Sequence, residues 1–336
     1  MNLCIVNALW YLLVGESLEL EDEKMKNLLE NFDAVLRSNK RPSKTIQLLG
    51  KIHPGIHKWF NSEFKLFRKL FDQSENLIRP YINEHKASLN PNELRDFMDA
   101  YLNEVSKTSD KKSSFFGKRG EESLISTITD LFFAGTETTT SSLLWAILCL
   151  LHFPEVQEKV QAELDQVVGD RKVSLDDKAN LPYTNAVLME SMRIATIVPM
   201  ALPHCATEDM EIAGFHVPKN AIIFPDILNV HYDPEYFKNA DTFDPNRFYD
   251  EDTNTFKPNE RLIPFSIGRR FCLGQSLAEK EYFLFFTSLL QKFKFGMAPG
   301  LGLPPIGRDV SIMVGIIRGA PLFDVIMKER SISHQS

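Results

Sequence analysis

Residues 138–154 carry no Asp, Glu, Lys or Arg, and within them 143–151 are continuously apolar. A helix that is apolar on every side has to be enclosed, by protein or by lipid. This stretch falls short of the roughly 20 residues that cross a bilayer. Glu137 and Glu155 bracket it. It therefore reads as a core helix that other elements must wrap. That demands a long chain with a large apolar reserve, and 336 residues, 43% of them hydrophobic and 25 of them Phe, supply both. Length alone allows one large domain or two ordinary ones. A Phe-rich interior also suits a pocket for an apolar molecule, although any large core uses Phe.

The first two-thirds of the chain reads as helix after helix. Residues 19–37 are amphipathic, and 61–86 space Phe64, Phe67, Leu70 and Phe71 at helical intervals. Pro42, Pro54-Gly55 and Asn90-Pro91 read as turns between these runs. A charged, Ser-rich stretch, 106–120, reads as an exposed loop before the long helix, which is expected over 122–152 and closed by Pro154. Further helices are expected over 154–168 and 183–194, with Pro182 in the first turn of the second. From 199 to 234 the pattern turns to short strands, with turns at Gly214 and Pro218-Lys219-Asn220. Residues 256–274 are irregular, 275–293 resume as helix, and 300–328 alternate β-like runs with Gly and Pro breaks. The expectation is a mainly α fold with small β-sheets, in a single domain over residues 1–336. No stretch has the composition of a flexible linker.

Residues 3–14 are also apolar, but they lack the basic n-region of a secretory signal and contain Asn7. No membrane anchor is read from the chain. Formal net charge is −7, with Lys+Arg 38 against Asp+Glu 45, so a nucleic-acid binder held by a general basic field is not expected. The four cysteines, Cys4, Cys149, Cys205 and Cys272, form no close pair and match neither a zinc spacing nor a small disulfide scaffold.

The most informative string is Phe265-Ser266-Ile267-Gly268-Arg269-Arg270-Phe271-Cys272-Leu273-Gly274. A thiolate is a soft, strong donor to iron, and a lone Cys is one of the few protein axial ligands for heme. Just before a helix, Cys272 has backbone N–H groups and the positive end of the dipole nearby, which stabilise a thiolate. Gly268 and Gly274 allow the backbone close to a flat macrocycle. Arg270 is placed to pair with a propionate, and Phe265 to shield the sulfur from water. A lone Cys is more often an ordinary buried thiol; the pattern around it is what carries weight.

At this string the chain resembles the cytochromes P450, the heme-thiolate monooxygenases, whose signature places Phe, Gly, Arg, Cys and Gly at these intervals. The resemblance extends over nearly the whole chain and is nearest the microsomal family two, which oxidises drugs, steroids and fatty acids. Gln275 departs from it, standing where that family usually has an acidic residue. The resemblance implies a cytochrome P450 fold lacking its N-terminal third, because residues 2–15 match an interior helix. The absent part would hold the membrane anchor, early strands, a substrate loop and a helix that binds the other propionate. It implies heme b (iron protoporphyrin IX), with Cys272 as axial thiolate and metal ligand.

Other motifs acquire roles only through this resemblance. Glu190-Ser191-Met192-Arg193 is an ordinary i,i+3 ion pair taken alone; the resemblance joins Glu190 and Arg193 to Arg247, in Phe243-Asp244-Pro245-Asn246-Arg247-Phe248, as a structural network behind the heme. On the long helix, Ala134-Gly135-Thr136-Glu137-Thr138-Thr139 places small residues where dioxygen and substrate need room. Thr138 is the expected hydrogen-bond donor toward dioxygen and Glu137 the acid of the proton route. The competing reading has Thr138 bonded back to a carbonyl of its own helix. His204 is expected at a heme propionate. Phe132, Phe133, Val198, Leu202, Ile316 and Ile317 are candidate substrate contacts, with Ala134 beside them; each is equally compatible with plain core.

The implied activity is insertion of one oxygen atom of dioxygen into a lipophilic substrate. NADPH would supply electrons through cytochrome P450 reductase, with cytochrome b5 as a further donor. The chain has no flavin or nicotinamide motif, and Gly300-Leu301-Gly302 lacks the third Gly of a dinucleotide fold. Gly274-Gln275-Ser276-Leu277-Ala278 likewise lacks the last Gly of a nucleophile elbow. Arg269 and Lys280 read as a basic surface for the reductase or as solvated charge. The full-length form is expected on the cytoplasmic face of the endoplasmic reticulum. The alternatives are a heme-thiolate isomerase or dehydratase, which would not need Glu137-Thr138, and a non-catalytic partial chain.

Overall fold

A computed structural model describes residues 2–19, 23–36, 62–310, 312–314 and 316–330. They form two compact units, Met1–Glu137 and Thr138–Ser336. The first contains α1 (Asn2–Val14), α2 (Glu23–Leu36), α3 (Ser62–Ser88), α4 (Phe97–Lys107) and the first part of α5 (Gly117–His152). The second holds the rest of α5, α6 (Pro154–Val167), α7 (Pro182–Ala195), a short α8 (Ile227–His231) and α9 (Gln275–Lys292). Its strands are β1 (His204–Cys205), β2 (Met210–Ile212), β3 (Phe215–Val217), β4 (Ile222–Ile223), β5 (Tyr249–Asp250), β6 (Thr255–Phe256), β7 (Phe293–Met297), β8 (Ile312–Val314), β9 (Ile317–Gly319) and β10 (Val325–Glu329). All pair antiparallel, as β1·β4, β2·β3, β5·β6, β7·β10 and β8·β9. Mainly α with small sheets is the fold observed. Pro42, Pro54-Gly55 and the side chains of Phe64 and Phe67 lie outside the described residues.

In the first unit α1 has no charged residue and buries Ile5, Val6, Leu9, Trp10, Leu13 and Val14. The Trp10 ring lies edge-on to Tyr81 at 5.4 Å and to Phe132 at 6.2 Å. α4 is started by Asp96, whose carboxylate accepts from the Asp99 N–H at 2.8 Å, and His85 at the end of α3 bonds the same Asp96 at 2.9 Å. The helix expected from 122 begins five residues earlier. Lys118 and Glu122 pair at 3.6 Å one turn apart, and Gly120 has no Cβ to strike the Phe115 carbonyl beside it.

In the second unit the apolar run of α5 is enclosed as its composition requires, with Leu143 and residues 145–151 buried. Arg318 ties this core together. Its guanidinium donates to the Ile194 and Ala195 carbonyls at the end of α7, at 2.6 and 2.5 Å, and lies 4.8 Å over the Trp145 ring. Trp145 in turn donates to the Arg318 carbonyl. α7 begins at Pro182 with no side-chain cap of its own; Glu163 of α6 accepts from the Tyr183 and Thr184 N–H groups instead. Gln157 exchanges two hydrogen bonds with the backbone of Phe295 and fixes β7 against α6. The strand pattern expected as far as 234 stops earlier, because Asp226 accepts from the Asn229 N–H and caps α8. Among the described residues no single helix is long and apolar enough to cross a membrane.

Candidate functional site

The string around Cys272 folds as a loop leading into α9. The Ile263 carbonyl accepts from Ser266, and a 3-10 turn over Gly268–Arg270 follows. Gly268 sits at φ +77°, a left-handed conformation that a Cβ disfavours, while the space a Cβ would occupy there is open. The chain then doubles back so that the Cys272 N–H donates to the Phe265 carbonyl at 2.9 Å. Cys272 lies two residues before Gly274, which starts α9, and its Sγ is 3.9 Å from the position of a Gly274 Cβ. The sulfur is thus held at the N-terminus of an 18-residue helix with no acidic residue in its first turn. Cys272 is exposed, and so are Ile267 (68%), Phe271 (54%) and Leu273 (85%) around it. Arg269 and Arg270 are exposed, Phe265 is half-buried, and His204 is exposed on β1. Gln275, the departure from the P450 pattern, donates to Glu279 at 2.8 Å on the same helix.

Behind this loop lies a buried polar network. Arg193 grips Glu190 with two hydrogen bonds, 2.7 and 2.8 Å, and both side chains are fully buried. Glu190 also accepts from the Asp244 N–H at 2.9 Å and from Arg247 Nε at 3.3 Å. Arg247 continues outward to the Lys238 and Asn239 carbonyls. Burial pushes the Glu190 carboxyl upward, and the Arg193 hydrogen bonds pull it back. Arg193 also donates to the His231 carbonyl at 2.8 Å and packs between the Tyr232 and Phe237 rings.

His231 is the member that sequence reasoning did not identify. The Ile263 N–H donates to its Nε2 at 2.9 Å, so Nε2 is an acceptor and Nδ1 carries the proton. Nδ1 then donates to Thr196 Oγ1 at 2.9 Å, and Thr196 Oγ1 donates on to the Arg193 carbonyl. Burial, with Arg193 nearby, lowers the His231 pKa to about 3, in keeping with this neutral form. A continuous route therefore joins Arg193 through Thr196 and His231 to Ile263, where the thiol loop begins. A lone His in a Leu-Asn-Val-His run gave no signal of this.

On α5, Glu137 and Thr138 are half-buried and adjacent, and Ala134 is exposed. Gly135 differs from the expectation of open space: Leu9 Cδ2 stands 2.9 Å from where its Cβ would be, so its smallness admits α1. Phe132 is buried against Trp10, and Phe133 stacks on Phe32 at 4.0 Å; both rings are used in packing within the first unit. In the second unit Val198 is half-buried, Leu202 and Ile316 are exposed, and Ile317 is buried on β9. Phe132 and Ile317 are therefore core residues here, whereas Leu202 and Ile316 present free apolar surface.

A sequence model of the cytochrome P450 family matches residues 1–323, and the chain belongs to that family. Human cytochrome P450 2J2 is 41% identical to it over 302 residues, covering 88% of this chain and 57% of that protein. Rat cytochrome P450 2J3 is 38% identical over 93% of this chain and 59% of its own length. Rat cytochrome P450 2B15 is 35% identical over 91% and 61%. The chain thus spans about three-fifths of the relatives it matches.

Proposed function

We propose that the protein to which this chain belongs is a heme-thiolate monooxygenase that inserts one atom of dioxygen into a lipophilic small molecule. The observation that carries the reading is the Cys272 sulfur at the start of α9, on a loop whose Ile267, Phe271 and Leu273 are exposed. A soft sulfur donor at a helix N-terminus, on a loop with exposed apolar side chains, fits a flat apolar cofactor held through one axial bond. Heme b, when bound there, would supply dioxygen activation, which no side chain of the protein provides.

The protein's own residues bind, orient and move protons. Cys272 would ligate iron, with the helix N-terminus and the surrounding N–H groups spreading its charge. Gly274 keeps a Cβ away from the sulfur, Gly268 supplies the left-handed turn before it, and Phe265 would shield its flank. Arg270 and His204 would hold propionates. Glu190, Arg193, Thr196 and His231 would fix the loop from behind, so that the sulfur's position does not depend on the bound group. Glu137 would take up protons and Thr138 would pass them on without opening the site to bulk water. Leu202 and Ile316 would meet the substrate, in the class of drugs, steroids and fatty acids. Electrons would come from NADPH through cytochrome P450 reductase, with cytochrome b5 as a further donor. The whole protein would sit on the cytoplasmic face of the endoplasmic reticulum.

The test is the carbon-monoxide difference spectrum of the reduced, heme-reconstituted chain. A thiolate-type Soret shift that vanishes in Cys272→Ser is the expected result. Heme uptake without that shift, or a shift that persists in Cys272→Ser, overturns the assignment.

A further inference from the structure

The segment between α4 and α5 is held by short-range turns. The Ser113 N–H donates to the Asp110 carbonyl at 3.1 Å and the Phe116 N–H to the Ser113 carbonyl at 3.3 Å. Within it Phe115 packs on the Tyr101 ring of α4 at 4.8 Å and its carbonyl lies against Gly120, so Phe115 anchors the segment while the residues before it rest on turns. Its hydroxyls differ sharply in availability. Ser106 donates to the Asn103 carbonyl, Thr108 donates to the Glu104 carbonyl, and Ser113 Oγ accepts from the Phe115 N–H at 3.1 Å. Ser114 is exposed, and its hydroxyl makes no hydrogen bond among the described residues.

The charge around Ser114 is equally particular. Lys111 and Lys112 stand three and two residues before it, both exposed, and neither forms an ion pair among the described residues. Lys118 and Arg119 follow in the first turn of α5, which contains no acidic residue. Arg119 Nη1 reaches back to the Lys111 carbonyl at 3.5 Å, which folds the basic residues around the turn. Ser109, the other hydroxyl in the segment with no hydrogen bond among the described residues, is followed directly by Asp110 and has one Lys before it.

We propose that Ser114 is a phosphorylation site for a Ser/Thr protein kinase that reads basic residues N-terminal to its target. An exposed hydroxyl can enter a kinase cleft once Phe115 lifts from Tyr101, and the paired lysines match an acidic recognition groove. In the transfer, Ser114 Oγ forms a bond to the γ-phosphorus of MgATP and the bond to the β,γ-bridging oxygen breaks. ADP leaves, and the hydroxyl proton passes to the kinase base. The product places roughly −1.5 to −2 charges close in sequence to Lys111, Lys112 and Arg119, with Lys118 shared with Glu122, and three residues before a helix whose first turn holds no acidic residue. The modification would therefore strengthen the start of α5, the helix that also carries Glu137 and Thr138.

Incubation of the full chain with the catalytic subunit of a cyclic-AMP-dependent kinase and radiolabelled MgATP tests this. The expected result is labelling on the peptide containing Ser114, mapped by mass spectrometry and abolished in Ser114→Ala. The double variant Lys111→Glu/Lys112→Glu should cut labelling about a hundredfold, roughly tenfold for each lost charge-assisted contact. Ser109→Ala should leave it unchanged. No incorporation into the folded chain, label that maps to Ser109 or Ser113, or label indifferent to the two lysines overturns the proposal.

Discussion

Glu190 and Arg193 illustrate how burial sets the worth of a residue. An exposed i,i+3 pair contributes a few tenths of a kcal/mol, but this one is fully enclosed and every oxygen of Glu190 is used. Glu190→Gln keeps the shape, removes the charge and leaves the Arg193 cation buried without a counter-ion, at an expected cost of about 3–5 kcal/mol. Arg247 lies at the edge of the network and touches Glu190 at 3.3 Å, so Arg247→Leu should cost about 1–2 kcal/mol. Urea midpoints of the two variants check the order; equal losses would place Arg247 at the centre as well. Thr138 is a different kind of residue, since its proposed role appears only in turnover. Thr138→Ala should change the unfolding free energy by no more than about 1 kcal/mol, yet separate NADPH consumption from product formation in the reconstituted whole protein. Unchanged coupling would reject proton delivery by Thr138.

At the scale of elements, the thiol loop owes its shape to backbone conformation. Gly268 and Gly302 both have open space where a Cβ would go, but only Gly268 lies at positive φ. Gly268→Ala should therefore cost about 1–2 kcal/mol through left-handed strain, and Gly302→Ala should be neutral or slightly stabilising. A calorimetric comparison of the two variants separates conformation from crowding, and equal melting temperatures would remove the conformational argument. The loop, α5 and α9 were legible because proline caps, apolar periodicity and the spacing of Phe265, Gly268 and Cys272 are local signals. α8 was misread because Ile222, Ile223, Ile227 and Val230 favour strands, while a single capping bond from Asp226 decides for a helix. Gly135 and Phe132 could not be placed from sequence, since Leu9 and Trp10 reach them from over a hundred residues away. His231 and Arg318 were silent for the same reason. Arg318 meets Ile194 and Ala195 across more than 120 positions, and His231 meets Thr196 and Ile263 across more than 30.

For the molecule as a whole, two buried groups tilt stability against pH in opposite directions. His231 is neutral in the fold, with its pKa lowered from the usual 6.5 to about 3, so the unfolded chain takes up a proton there first and stability falls as pH drops from 6.5 toward 3. Glu281 on α9 is 8% exposed, has a buried Oε1 without a partner among the described residues, and is pushed by burial from 4.5 up to about 7. Here the unfolded chain loses its proton first, and stability falls as pH rises from 4.5 toward 7. Between 4.5 and 6.5 the two slopes, each about 1.4 kcal/mol per pH unit at most, oppose and nearly cancel. Below 3.8 the Asp177 carboxyl, held at about 2 chiefly by its hydrogen bonds with Arg171, adds a further acid loss. Removing either buried group should unmask the other. Glu281→Gln should give a chain whose unfolding free energy climbs from pH 4.5 to 6.5 and exceeds the parent's near pH 7, by roughly 1–3 kcal/mol. His231→Gln should be less stable overall, through its lost hydrogen bonds, and its remaining stability should decline across the same interval. Urea unfolding at half-unit steps of pH measures both slopes. Parallel profiles for parent and Glu281→Gln would show that Glu281 is ionised in the fold at neutral pH, with a counter-charge that neutralises it.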